Sequence, residues 1–308
     1  MVRYVIRRLL QMILTFFGAT FLVYALMFGN QSDPIQALAG ERPVSDALRA
    51  TLTEHYHLGR PFLVQYGYYM RGLLTGDFGE TLSGRRISDI MAQSWPLTIE
   101  LALLAMVFAA VFGTAAGVYA GLRRGGVFDT TTLAVTLLVI ALPIIVLAPM
   151  AQLLFGVKLG WFPTTAGARP TLYGLILPAM VLGAASLATM LRLTRASVAE
   201  NLRADYVRTA RAKGLARRRV VGIHVLRNSL IPVITLIGVD LGTLMAGAIV
   251  TEGVFNIPGV GSKLLLGIQT EDGPLVVGLV SVLVVVFLVV NLIVDLLYAV
   301  LDPRIRYV

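Results

Sequence analysis

Six stretches of this chain are apolar for long enough to cross a bilayer, and polar stretches of unequal length separate them. They are residues 9–28, 97–120, 131–156, 175–191, 229–251 and 274–300. A helix of about 20 apolar residues spans the hydrocarbon layer. The pattern therefore predicts an all-α polytopic membrane protein with six transmembrane helices. Pro143 and Pro149 fall inside the third stretch, and proline kinks a helix because it lacks the amide donor. The fourth is rich in small residues, Gly183, Ala184, Ala185 and Ala188, which lets helices pack closely.

The polar connections differ in charge, and that sets the sidedness. Arg3, Arg7 and Arg8 precede the first stretch, and Arg123 and Arg124 follow the second. Residues 192–228 carry ten Lys and Arg against two acids, Glu200 and Asp205. Basic residues collect on the cytoplasmic side, so both termini and this loop are expected inside the cell membrane. Residues 30–95 carry six Arg against seven acids, a balance that places them outside as a long extracytoplasmic region. Within it, Asp33-Pro34 marks a turn, and residues 45–57 predict a polar-surfaced helix. Residues 65–74, with Tyr66, Tyr68 and Tyr69, predict an interfacial helix broken at Gly76. The region reads either as a docking surface for an extracytoplasmic binding protein or as a lid of packing helices. The first apolar stretch is longer than a signal-peptide core. The small-x-small site at residues 37–39 lies well past its end, so it reads as a retained helix. Residues 1–96 are thus one module, and 97–308 a five-helix core.

Composition agrees. Of 308 residues 57% are hydrophobic and only 14% charged, against about 25% in soluble domains. The absence of cysteine excludes disulfides and thiolate metal sites. The net charge of +9 follows from the basic loops, so no nucleic-acid partner is expected.

The most basic stretch, residues 203–232, contains a short helix at about 203–216. Asp205 reads as its N-cap and Gly214 as the left-handed residue that ends it, with Lys213 suiting the negative end of the helix dipole. Tyr206, Ala210 and Gly214, spaced four apart, are expected on one face, open to close approach by a partner. This stretch resembles the coupling-loop signature of the permease subunits of ABC importers. The run from Asp205 to Leu215, then Val225-Leu-Arg-Asn-Ser-Leu-Ile-Pro232, is similar to the dipeptide/oligopeptide/nickel branch. Arg208 stands where the general consensus has Glu, and the late proline is displaced to Pro232. Residues 58–79, 252–261 and the end of the chain with Asn291, Asp295, Tyr298 and residues 301–304 match the same branch.

The resemblance implies a type I ABC importer permease fold and a non-catalytic subunit. It would work with a second homologous permease as a heterodimer, and with two ATP-binding subunits or one fused ATPase. An extracytoplasmic substrate-binding protein would complete the set. ATP and Mg²⁺ would bind the partners, and this chain would hold no cofactor. Asp205, Tyr206, Arg208, Thr209, Ala210, Arg211, Lys213, Gly214 and Leu215 would form the ATPase contact. Peptides are the implied cargo, with nickel or another small solute as the alternative.

Other chemistry is sparse. Gly259-Val-Gly-Ser-Lys263 lacks the order of a phosphate-binding loop. Asp240, deep in the fifth stretch, either lines the translocation path for a cationic group or is satisfied by a partner within the bundle; the second is the simpler reading. Asn291 and Asp295 read as packing residues, and Glu100 as a headgroup-level residue near a helix end. His55 and His57 diverge on a helix, so no metal site is expected. Ser186, Ser197 and Ser229 have no partner pattern for hydrolysis. A self-contained secondary carrier would need inverted repeats with broken helices and several intramembrane charges.

Overall fold

Proline decides the most conspicuous feature of the backbone. In the computed structural model, Val127–Ala141 (α4) stops at Leu142, and Ile144–Ala151 (α5) restarts after Pro143 along an axis turned by 111°. Leu142 is extended (ψ 123°) because the ring of the following proline disfavours the helical conformation there. The Pro143 carbonyl then caps α5 by accepting from the amides of Val146 and Leu147 at 2.9 and 3.0 Å. Pro149 stays inside α5 without a break, and the chain continues as a π-helical turn, Gln152–Lys158. The expected third span is thus a broken pair.

The structure describes residues 2–28, 45–47, 50, 53, 59–81, 83–270 and 272–301, with backbone only for 2–5 and 294–301. Among the described residues five helices are long and apolar enough to cross a membrane, or six if the broken pair is one span. They lie in α1 (Val2–Phe28), α3 (Ile87–Leu122), α6 (Leu172–Asn201), α8 (Arg217–Phe255) and α10 (Gly273–Leu301). Shorter helices are α2 (Phe62–Thr75), α7 (Asp205–Ala212) and α9 (Val260–Gln269). Among the described residues the only β-pairing is an isolated bridge between Glu80 and Arg86. The turn at Asp33-Pro34, His55, His57 and residues 302–308 lie outside the described residues, as does most of the helix expected over 45–57.

Several helices outrun their apolar stretches. α3 begins at Ile87, ten residues before the apolar run, because Ile87, Ile90, Met91 and Ser94 form a buried stripe at helical spacing. Glu100 therefore lies well inside α3, half-exposed, and not at a helix end. α8 begins at Arg217, so much of the expected loop 192–228 is helical.

The chain forms two compact units, residues 1–98 with 258–308, and residues 99–257. In the first, α1 packs on α10 around Tyr24, Phe28 and Val277, with Phe62, Tyr66 and Tyr69 of α2 against them. The Tyr24 and Tyr69 rings stack at 5.2 Å. Tyr66 and Thr20 hydroxyls are 2.9 Å apart, and the Tyr69 hydroxyl donates to the Val277 carbonyl and meets Ser281. The expected interfacial helix is α2, ended by Gly76 at φ +82°. The Thr98 hydroxyl accepts the first amide of α9, 2.9 Å from Val260.

In the second unit α6 is the most deeply buried span. Gly113, Gly117 and Gly121 of α3, each four apart, lie directly on its backbone. A β-carbon at Gly117 would sit 2.6 Å from the Leu191 carbonyl oxygen. A β-carbon at Gly183 of α6 would lie at the same distance from the Ala105 carbonyl oxygen. Without a hydrophobic force between helices in lipid, such close approach supplies the packing energy.

Candidate coupling helix

α7 is eight residues long, too short to persist by itself. Its position is fixed by one apolar face. Val207 is fully buried and Ala210 is 5% exposed. They join Val198 of α6 and Val220 and Val225 of α8, with Leu202, Leu215, Val118 and Leu122 packed around. Of the Tyr206–Ala210–Gly214 face expected to meet a partner, Tyr206 and Gly214 are exposed, but Ala210 is buried. Ala210 is turned into the chain's own core, because Val207 and Ala210 share the side that apolar burial selects. The exposed side runs through Asp205, Arg208, Thr209 and Ala212, with Arg211 and Lys213 beside it.

The ends of α7 differ in how far the sequence defined them. Ala204, extended at ψ 148°, is the N-cap and makes no side-chain cap. Asp205 is already the first helical residue. Its exposed carboxylate pairs with Arg208 at 3.4 Å, and its carbonyl accepts from the Thr209 hydroxyl at 3.0 Å. The C-terminus is as expected. Gly214 has φ +77°, a conformation a β-carbon penalises. Its amide donates to the Arg211 carbonyl at 2.9 Å, and that of Leu215 to the Ala210 carbonyl at 3.3 Å. These two bonds and the burial of Leu215 form a Schellman motif.

Side chains tie α7 to two spans. The Tyr206 hydroxyl donates to the Asn201 side-chain oxygen at the end of α6. The Asn201 amide in turn donates to the Ser229 hydroxyl of α8 at 3.1 Å and to the Ser197 carbonyl at 2.9 Å. Ser197 and Ser229 are thus structural partners in this network. Asn201 gave no signal in the sequence; its place emerges only where three helices meet.

Other charged groups fall into place nearby. Arg195 of α6 grips buried Asp129 of α4 with two nitrogens, one of them at 2.8 Å, while the Gly125 amide donates to the same carboxylate at 2.8 Å. Asp240 faces α6, where Ser186 hydrogen-bonds its carboxylate, and its Oδ2 is buried with no hydrogen-bond partner among the described residues. Residues 259–263 form the N-cap and first turn of α9, and Gly261 is buried. Among the described residues no three His, Cys, Asp or Glu side chains are grouped to hold a metal.

Fold and site together define an integral membrane protein of packed helices that presents one short basic helix beyond its spans. The chain belongs to the family of binding-protein-dependent transport system inner membrane components, whose model matches residues 113–307. The N-terminal model of the same systems matches residues 1–102. The family description places the chain in the inner membrane and implies a separate binding protein. Over 335 aligned positions the chain is 39% identical to the di/tripeptide transport system permease protein DppB of Pseudomonas aeruginosa (strain UCBPP-PA14), covering 100% of this chain and 99% of that protein. It is 36% identical to the dipeptide transport system permease protein DppB of Escherichia coli (strain K12) over 337 positions, with the same coverage. It is 38% identical to the glutathione transport system permease protein GsiC of Escherichia coli (strain K12) over 309 positions, covering 100% of both.

Proposed function

We propose that this chain is the membrane-embedded, non-catalytic permease subunit of an ABC importer for short peptides, worked through α7 by ATPases it does not encode. The observation that carries the reading is the anchoring of α7. Its apolar face and the Tyr206–Asn201–Ser229 network join it to both α6 and α8. A push on its exposed basic side therefore reaches two spans as one rigid movement. The likeness to peptide permeases over the whole chain supports the cargo.

The rest of the assembly follows from the same reading. Two ATP-binding subunits, or one fused ATPase, close on ATP and Mg²⁺ and move the coupling helices. A second homologous permease completes a heterodimer, and an extracytoplasmic binding protein delivers cargo to the outer side. Both termini and α7 lie in the cytoplasm. Residues 1–96 supply the first transmembrane helix and the extracytoplasmic region, and 97–308 the other five spans with the coupling helix. The secondary-carrier alternative has the broken pair at Pro143 in its favour, but the full-length likeness outweighs it. The likeness to a glutathione transport system permease, 38% identical over the whole of both chains, keeps a tripeptide cargo within the peptide reading.

Co-purification of the assembled complex tests the function. Arg211→Glu reverses a charge on the exposed side of α7 and leaves its buried face alone. It should strip the ATPase from the permease pair without lowering the yield of folded permease. Peptides presented with the binding protein should stimulate ATP hydrolysis by the wild-type complex. A complex stimulated by none of them, or a permease that accumulates peptide alone in proteoliposomes, overturns the reading.

A further inference from the structure

The exposed side of α6 is unlike that of the other spans. From Leu177 to Asn201 it exposes no large apolar side chain. Its exposed stripe, at helical spacing, is Ala185, Thr189, Arg192, Ala196 and Glu200. By contrast α3 exposes Leu103, Val107, Val111 and Phe112, and α4 exposes Val135, Leu137 and Leu138. Lipid accepts the second kind of surface and is poorly matched by Ala185 and Thr189, while Arg192 marks the end of α6 that the charge pattern places on the cytoplasmic side. The adjoining end of α8 resembles α6: beyond Val239 its exposed residues are Thr243, Ala246 and Gly253.

A cavity of about 540 Å³ opens on this stripe, lined by Leu133, Thr189, Arg192, Leu193, Arg195 and Ala196. That size suits a small ligand. Its two arginines are not equivalent. Arg195 is neutralised by its two-pronged bond to Asp129. Arg192 forms no ion pair or hydrogen bond with any described residue, and its side chain is exposed. The lining thus carries one uncompensated positive charge. Glu200 lies two turns further along the stripe, beyond the cavity lining.

We propose that Arg192 and the cavity between α4 and α6 form a carboxylate-receiving subsite on the transport path, which takes the C-terminal carboxylate of a passing di- or tripeptide. This rests on the peptide-import reading above. A short peptide is a zwitterion, and its carboxylate needs a replacement for hydration when it enters a narrow passage. A guanidinium supplies paired donors matched to two carboxylate oxygens. Thr189, one turn earlier on the same face, adds a hydroxyl within the cavity wall. The site is open and holds one charge, which suits brief contact during passage.

The absence of cysteine makes a chemical rescue possible, because Arg192→Cys introduces the chain's only thiol. The full complex, with binding protein, is reconstituted in proteoliposomes, and wild-type complex is treated in parallel. Arg192→Cys should raise the KM for transport of a dipeptide or tripeptide about tenfold or more, the worth of one charge-assisted bond. Aminoethyl methanethiosulfonate, which restores a cation, should recover transport; the sulfonatoethyl reagent should not. Transported peptide should slow the labelling, and Arg192→Lys should keep most activity. Wild-type KM in both Arg192→Cys and Arg192→Gln overturns the subsite, as does equal rescue by the anionic reagent. Protection that follows anionic lipid content instead of peptide assigns the site to a lipid headgroup and overturns it too. Loss of the second permease on gel filtration of Arg192→Cys assigns the charge to a protein contact and likewise overturns the subsite. A wild-type complex that transports no peptide refutes the underlying function, a result distinct from wild-type transport that ignores Arg192.

Discussion

Substituting Gly117 by alanine adds one methyl group at the closest contact between α3 and α6. The new β-carbon would lie 2.6 Å from the Leu191 carbonyl oxygen and 2.6 Å from Thr194 Cβ. Ordinary contact begins roughly 1 Å further out. Neither obstacle is the free end of a flexible side chain, so the two helices must separate by about that distance. Gly113 and Gly121 share the seam, where an added β-carbon would lie 2.8 Å from the Leu187 carbonyl oxygen and from Val198 Cβ respectively, and they lose packing as well. Overfilling of this kind costs about 1–3 kcal/mol. Alanine recovers up to about 1 kcal/mol through its better helix propensity. With the full recovery about 0–2 kcal/mol of destabilisation remains, centred near 1, and more for Gly117→Leu. The assay is thermal unfolding of the purified complex in detergent, followed by fluorescence-detected gel filtration. Gly18→Ala is the control, since a β-carbon there meets nothing within 4 Å. Gly117→Ala should melt below wild type, and Gly18→Ala at or slightly above it. If Gly117→Ala and Gly117→Leu both melt with wild type, the seam is not what holds α3 to α6.

Two further predictions address the coupling helix and the first unit. Val207→Ala removes two buried methyl groups from under α7 and should cost about 1–2 kcal/mol of local stability. Transport should then fall more than basal ATP hydrolysis, measured side by side, because the lever is loosened while the ATPase is untouched. In the first unit, burial pushes the Tyr69 hydroxyl from its ordinary value of 10 up to about 12. The folded state holds this proton more tightly than the unfolded one. Its stabilisation is therefore complete below pH 10 and disappears as pH rises toward 12. The stability gap between wild type and Tyr69→Phe should be present at pH 9 and shrink by up to about 2–3 kcal/mol by pH 12. Chemical unfolding at the two pH values reads the difference, and a constant gap would count against a buried, proton-donating Tyr69.

Residue order by itself determined the membrane class, the long apolar helices and the end of the coupling helix. Apolar runs longer than about 20 residues have no other use in a small protein, and Gly214 is readable because only glycine takes φ +77° cheaply. The small residues around Gly183 were readable as a packing signal, but the glycine seam at Gly113, Gly117 and Gly121 that meets α6 emerged only from the structure. Tertiary structure decided everything that depends on which neighbours surround a helix. It turned Ala210 inward, brought Tyr24 onto Tyr69, and matched Asp129 with Arg195 across 66 positions. It also extended α3 back to Ile87, where a polar-looking segment has one buried stripe. The physical reason is common to all of these. A helix's own sequence states how much apolar surface it carries, but rotation about its axis is set by competition among the surfaces packed against it.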